Sequence, residues 1–381
     1  MKIDPYKHKE RYLKWKENNS LIIPDISKSN SEFILSYLAD MEKGLNIGSS
    51  KGSRSFIRLN NLKQRMIFMS KQFEKRFGIS DLRKINEQQL HNYFSDMRNG
   101  IITRLDGGIY KSVSDYIKVF KAFWHWHQKS SRKRGEEVED ITIDLDMSQE
   151  KPEWVYLDEN QIKKLAENVK PNYRVLIMFL FDSGIRSPTE LMNIKVSDFY
   201  KDYKEVCIRE EISKTFGRRI KLMLCSELVK EFVQSNRLSP EDYLFKISPP
   251  AVNQYLKRIA GRLFGDCKSP AGKKYSELTM YDFRHCSCCY WLPRYKSESA
   301  LKFRFGWKKS DKIYYYSEML GMRDTISEED ILIDTTKTEL EQEQVRLKRE
   351  NEILKDKMGN MESQMQRILQ LVDKGLIVVE N

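Results

Sequence analysis

Two arginines, a lysine and a run of tyrosines stand out in the second half of this 381-residue chain for what they could do together to a phosphate. Arg186 sits in FDSGIRSPTELMNIKVSDF (181–199), Lys214 in EISKTFGRRIKLML (211–224) and Arg284 in LTMYDFRHCSCCYWL (278–292). Tyr314, Tyr315 and Tyr316 lie in LKFRFGWKKSDKIYYYSEMLG (301–321). Breaking a phosphodiester without hydrolysis takes a nucleophile that holds the phosphate covalently. It also takes cations for the charge growing on the non-bridging oxygens, and an acid for the leaving oxygen. Guanidinium stays ionised and offers paired planar donors that match a phosphate, so Arg186 and Arg284 suit the second task. An ammonium gives up its proton more readily than a guanidinium, so Lys214 suits the third. A tyrosine phenol suits the first. Each residue alone is ordinary in a basic protein; the joint spacing carries the signal.

In order and spacing these segments resemble the tyrosine recombinase family, the phage integrases and the Xer and Cre-type site-specific recombinases. The intervals of 28 residues from Arg186 to Lys214 and of 23 from Arg284 to Trp307 are both of the size the family shows. Trp307 lies 9 residues before Tyr316, the interval at which the family carries a His or Trp ahead of its nucleophile. The resemblance therefore makes Tyr316 the nucleophile and Trp307 an indole N–H donor to a phosphate oxygen. Tyr315 is the next candidate; successive helical residues diverge by about 100°, so neighbours cannot aim at one point.

Two positions depart from the family pattern. The family has an acidic residue three positions after its first arginine, whereas RSPTE puts Glu190 four after it. Either a turn at Ser187 and Pro188 absorbs one residue, or the role of buttressing Arg186 is taken elsewhere. The position three before the second arginine, usually His or Lys, is Tyr281. A phenol, with a reference pKa of about 10, is a poor base at neutral pH but can hydrogen-bond a phosphate or the nucleophile. His285, beside Arg284, is a second candidate base, set against the plainer reading of a histidine packed in its helix.

The net charge of +12 and a sequence pI near 9.1 favour a polyanionic partner, because Lys and Arg near phosphates release condensed counterions. The last 47 residues hold 8 Lys/Arg against 9 Asp/Glu, so the positive excess sits before residue 335. No run approaches the roughly eighteen apolar residues of a membrane span, and MKIDPYKHKERYLKWKENN lacks the apolar core of a signal peptide. The expectation is a soluble, cytoplasmic protein with no membrane association. Six cysteines (207, 225, 267, 286, 288, 289) are then expected as thiols, and the CxCC cluster lacks the second ligand pair of a zinc site. No metal or other cofactor is expected.

Positioning these residues requires elements that the periodicity supplies. Residues 1–27 are polar and Lys-rich and read as a basic arm. Over 28–130 apolar residues recur at three- and four-residue intervals in four segments separated by Gly- or Ser-containing turns, which reads as a helical domain. The charge-blocked stretch 131–152 reads as a linker. From 153 to 325 the pattern is a second, mostly α domain: a helix capped by Asp158, a buried helix ending at Gly184, and a hairpin of YKEVCIREEI and RRIKLMLC around KTFG. The expected fold class is mainly α with a small antiparallel sheet. Its hairpin tip can swing Lys214 toward a groove of DNA.

The last segment, 335–374, repeats in sevens. Leu340, Leu347, Leu354, Met361 and Ile368 form one series; Gln344, Asn351, Met358, Met365 and Val372 form the other. Glu343 with Lys348, Glu350 with Lys355 and Lys357 with Glu362 pair at the spacing that bridges two parallel helices, and Asn351 is polar at an a position, as in parallel dimers. A single amphipathic helix folded back on the body is the alternative. By resemblance, the whole implies a DNA recombinase or integrase that clamps double-stranded DNA between its two domains. It would cut through a 3′-phosphotyrosine without metal or ATP, and act as a homo-oligomer, a coiled-coil dimer and a tetramer on DNA. The rival is a DNA-binding protein of the same fold that has lost catalysis, with Tyr281 and the shifted Glu190 in its favour. A relaxing topoisomerase of the same chemistry would need neither coiled coil nor strand exchange. A zipper transcription factor fits poorly, since GMRDTISEEDILIDTTKTE is acidic where a basic region belongs.

Overall fold

The computed structural model describes residues 2–46, 52–148, 151–295 and 297–320, together with Leu347, Asn351, Leu354, Met358, Met361 and Met365. The chain divides into two compact units, Met1–Lys312 and Ile313–Asn381. The fold is mainly helical with one three-stranded antiparallel sheet.

The first part of the larger unit is built from α1 (His8–Asn18), α2 (Lys28–Lys43), α3 (Phe56–Phe77), α4 (Glu87–Arg98) and α5 (Val113–Arg132). Leu62, Met66, Met69 and Phe73 of α3 follow the helical repeat and are buried, facing Ile34 and Leu38 of α2, Leu90 and Tyr93 of α4, and Ile117, Phe120 and Phe123 of α5. Local chemistry sets the ends. The Ser27 and Ser55 hydroxyls accept from the N–H three residues on, Asn86 forms a capping box with Gln89, and Gly44 and Gly78 close α2 and α3 in the left-handed region.

Within the basic arm, residues 8–18 form a helix with one buried residue, Tyr12, in the same core, and Trp15 packed partly buried against it. One buried ring in eleven residues leaves no periodic trace in the sequence. Ahead of it, the backbone N–H of Ile3 donates to Asn193 Oδ1 at 2.6 Å and Asn193 Nδ2 donates back to the Ile3 carbonyl at 3.0 Å, so the start of the chain is tied to the second half. The stretch after α5 doubles back on the helical body. Trp124 Nε1 donates to the Glu139 carbonyl, Leu145 joins the core, and Arg98 pairs with Asp146.

The second half follows with α6 (Glu159–Glu167), α7 (Pro171–Ser183), β1 (Phe199–Tyr200), β2 (Glu205–Ile208), β3 (Arg218–Lys221), α8 (Ser226–Ser235), α9 (Pro249–Phe264), α10 (Asp282–Trp291), α11 (Glu298–Phe305) and α12 (Asp311–Met319). Asp158 caps α6 in a capping box with Gln161. α7 is buried from Phe179 through Ser183 and packs against α10, itself buried over most of its length. β2 and β3 pair antiparallel, Val206 opposite Ile220, with the short β1 on the far side of β2.

Among the described residues no helix is long and apolar enough to cross a membrane. The heptad segment 335–374 lies outside the described residues apart from the six named above. All six are helical and exposed, Leu347 at 48% and Met361 at 68%.

Candidate active site

Two arginines converge on one stretch of backbone. Arg284 lies on α10, buried, and spans a gap with its forked donors: Nη1 reaches the Gly184 carbonyl and Nη2 the Phe305 carbonyl, each at 2.5 Å. Its plane lies over the Phe305 ring, 5.4 Å from the centroid. Arg186, three residues past the end of α7, sends Nη2 to the Gly306 carbonyl at 2.9 Å. The end of α11 is thus the shared mount of both guanidiniums. Burial, and then the charge of Arg186, draw Arg284 down from its ordinary value to about 10, which leaves it a cation at neutral pH.

That mount is itself held by charge. Arg304 on α11 is buried against Asp182 of α7, Nη2 to Oδ1 at 3.0 Å, and over the Trp291 ring at 4.1 Å. The other Asp182 oxygen accepts the backbone N–H groups of Leu224 and Cys225 at 2.6 and 3.1 Å, joining the exit from β3 to the same point.

Gly184 is required where it stands. Its φ of +60° is left-handed, and a Cβ there would meet the Phe305 ring at 2.3 Å and Ser287 Oγ at 2.8 Å. We expect Gly184→Ala to cost roughly 2–5 kcal/mol, from the disfavoured backbone and the overpacked ring together, read as a lowered Tm in thermal unfolding.

Glu190 returns to Arg186 despite the extra residue between them. Through a turn whose Ser187–Pro188 peptide is cis, Oε1 accepts from Arg186 Nη1 at 2.7 Å and Oε2 from the Arg186 backbone N–H at 2.9 Å. A residue that the sequence reading did not single out completes this network. Arg218, the first residue of β3, donates Nη2 to Glu190 Oε2 at 2.8 Å and Nη1 to Oε1 at 3.3 Å, with both side chains fully buried. The signal was available. Alternation along RRIK puts Arg218 on the buried face with Ile220 while Arg219 and Lys221 face out, and an arginine on the buried face of a strand needs a carboxylate.

Burial pushes the Glu190 carboxyl up, but the hydrogen bonds and charge of Arg218, then those of Arg186, overcome this and hold it near 2, below the ordinary 4.5. A carboxyl depressed on folding contributes stability that is complete above 4.5 and is lost as pH falls toward 2. Glu190→Gln should therefore flatten the dependence of Tm on pH across that window, as well as lowering Tm near neutrality. An unchanged slope would count against the pairing.

Lys214 lies in the loop between β2 and β3, exposed, with no ion pair among the described residues. The next residue anchors the loop: Thr215 Oγ1 donates to the Gly306 carbonyl at 2.9 Å, the same oxygen that Arg186 uses. Trp307 follows directly and stacks on Phe305 at 5.0 Å between centroids, the planes inclined by 21°. Tyr281 precedes α10, 47% exposed, with its ring edge-on to His285 at 5.2 Å. His285 stacks on Trp154 at 4.8 Å, and burial, then the Arg284 charge, press its pKa down to about 3, so the ring is neutral at physiological pH. Arg186, Glu190, Arg284 and the Phe305–Trp307 stretch are thus brought together, with Lys214 one residue from the shared carbonyl.

In the second unit, α12 carries the three tyrosines on different faces. Tyr316 is buried at 4%, Tyr315 is intermediate, and Tyr314 is 71% exposed. The Tyr315 and Tyr316 rings meet edge-on at 5.1 Å.

A cleft of about 950 Å³ runs between the helical body and the second half of the larger unit. Arg104, Lys111, Lys151, Lys268, Lys273 and Lys312 are among its lining residues, against the carboxylates Asp115, Glu153 and Glu277. Lys111 pairs with Glu153 across it.

Neither a family model nor a curated protein sequence matches the chain. Solved structures do. The Tn1549 transposon integrase in complex with circular intermediate DNA superimposes with a TM-score of 0.55 at 12% identity, over 81% of this chain and 99% of that one. A lambda integrase dimer bound to a COC′ core site gives 0.55 at 16% identity, over 84% and 85%. The XerH site-specific recombinase bound to palindromic difH substrate, a post-cleavage complex, gives 0.55 at 16% identity, over 82% and 92%. Identities this low speak to architecture alone, and the architecture is shared over four fifths or more of this chain and 85% or more of each of those: the chain has the fold of the tyrosine recombinases.

Proposed function

We propose that the protein is a site-specific DNA recombinase or integrase that cuts and rejoins DNA through a 3′-phosphotyrosine. The observation that carries this reading is the convergence of Arg186 and Arg284 on the Phe305–Gly306 carbonyls, beside Trp307 and the Lys214 loop. Two guanidiniums held as a pair offer their remaining donors to the non-bridging oxygens of one phosphate. The Tyr316 hydroxyl oxygen attacks phosphorus and releases its proton to water, and the bond to the 5′-oxygen breaks. Lys214 gives that oxygen a proton, and the charge on the phosphate is met by Arg186, Arg284 and the Trp307 indole N–H. Tyr281, exposed beside the clamp, donates its hydroxyl to a phosphate oxygen. A 5′-hydroxyl from a second duplex then attacks the phosphotyrosine, the bond from phosphorus to the Tyr316 oxygen breaks and that oxygen is reprotonated, so bond energy is conserved and neither metal nor ATP is invoked.

Double-stranded DNA is the partner in this reading, in the cytoplasm, gripped between a helical domain (28–130) and a catalytic domain (153–325) joined by the linker 131–152. The lysine-lined cleft between those parts supports it. The exposed a and d stripe formed by Leu347, Asn351, Leu354, Met358, Met361 and Met365 suits a second copy of the chain, which would pre-pair protomers before a tetramer assembles on DNA. Deleting 335–381 should then convert a dimer to a monomer in sedimentation, and a deletion variant that remains dimeric would remove the zipper.

The decisive experiment incubates the protein with DNA spanning the ends of the element that encodes it, denatures in detergent, and looks for protein covalently attached to DNA. Attachment supports the recombinase. Tight binding without attachment would favour a non-catalytic binder of the same fold, with Tyr281 as the leading cause.

A further inference from the structure

The clamp contains more arginine than phosphate binding needs. Glu190 holds Arg186 through both its guanidinium and its backbone N–H, which aims the side chain but also cancels its charge. A close guanidinium–carboxylate pair is neutral overall, and in a water-poor site an approaching phosphate would meet a dipole where it needs a cation. Arg218 changes that balance. It occupies both oxygens of the same carboxylate, and its Nε is spent on the Arg304 carbonyl at 2.9 Å. Two guanidiniums on one carboxylate leave a single net positive charge. Only one of the two can deliver it: the Arg186 side chain is 13% exposed, that of Arg218 not at all. The depressed Glu190 pKa, set by Arg218 ahead of Arg186, agrees that Arg218 is the stronger partner.

We propose that Arg218 is a positioning residue that takes up the charge of Glu190, so that Arg186 meets the phosphate as a cation while the same carboxylate keeps it aimed. This rests on the reading of Arg186 and Arg284 as a phosphate clamp.

The test is a cycle in the full chain: parent, Arg218→Met, Glu190→Gln and the double variant. Two readouts are taken. One is the rate of covalent attachment to saturating DNA in a single turnover; the other is affinity for inorganic phosphate in the DNA-free protein, followed on the Trp307 indole N–H by NMR. We expect Arg218→Met to slow attachment about 10- to 100-fold, less than loss of a direct donor, and to weaken phosphate binding about tenfold, with DNA affinity changed less than about threefold. With Glu190→Gln already present, losing Arg218 should change either readout by less than about threefold, because no carboxylate remains to be neutralised. Equal losses in both backgrounds would overturn the proposal, and so would an Arg218→Met protein that behaves as the parent.

If Arg218→Met does not fold, Arg218→Lys, which keeps the charge, takes its place. It is expected within about threefold of the parent on both readouts, and a loss as large as that predicted for Met would overturn the charge role. A parent that never attaches to DNA but shows the coupling in phosphate binding would remove the recombinase reading and leave the role of Arg218 standing. Attachment by the parent with an additive cycle would do the reverse.

Discussion

Tyr316→Phe should abolish covalent attachment to DNA while leaving DNA binding intact. The ring is buried, so phenylalanine keeps its packing and removes only the hydroxyl. Loss of a nucleophile is among the largest single effects in catalysis, on the order of 10⁴-fold or more. The measurement is gel-resolved protein–DNA adduct after detergent, with DNA affinity in parallel. Tyr314→Phe is the matched control, since that ring is 71% exposed on another face of the same helix, and it should attach at the parental rate. If Tyr316→Phe still attaches and Tyr315→Phe does not, the nucleophile moves one position and the face of α12 that meets the phosphate moves with it.

The second large effect is expected at Arg284, where the proposed phosphate contact and the two carbonyl bonds fall on one side chain. In the proposed function Arg284→Ala removes a phosphate donor pair, worth about 10²–10³ in rate by analogy with other preorganised donors. It also orphans the buried Gly184 and Phe305 carbonyls, at roughly 1–3 kcal/mol for each group left without a partner. Both losses should appear together, as attachment down by at least about a hundredfold and a lower Tm. Arg284→Lys separates them. A single ammonium supplies the charge but cannot span two carbonyls in the plane of a fork, so attachment should recover only in part. A lysine variant equal to the parent in both rate and Tm would show that the fork geometry is dispensable.

Wherever local chemistry was enough, the amino-acid sequence could be read directly. The N-cap at Asp158, the glycine that ends α7, the β-branched and apolar runs of the hairpin and the three- and four-residue spacing of the helical body are all decided by neighbours within a turn or two. The hairpin carries Lys214 in its loop for the same reason. The basic excess is likewise a property of the chain itself, and some of its lysines line the cleft. The helix over residues 8–18 escaped that reading because Tyr12 is its one buried residue, and its other ties, Trp15 against the core, Lys16 to Glu42 and Asn60 to the His8 carbonyl, lead to distant elements. The packing of residues 138–145 on the helical body escaped it because their partners lie on α4 and α5.

The types and spacing of Arg186, Lys214, Arg284, Trp307 and Tyr316 were thus set by the sequence alone, as were the helical periods and the heptads of the last segment. Which groups meet was settled only by the tertiary structure. It brought Glu190 back to Arg186 across an extra residue, put Arg218 on the same carboxylate from 28 positions away, and hung both clamp arginines on carbonyls at the end of α11. These are buried charges, and no local rule assigns a buried charge its partner. A guanidinium cannot remain unpaired away from water, so its partner is whichever carboxylate or carbonyl the packing of distant elements delivers within about 3 Å.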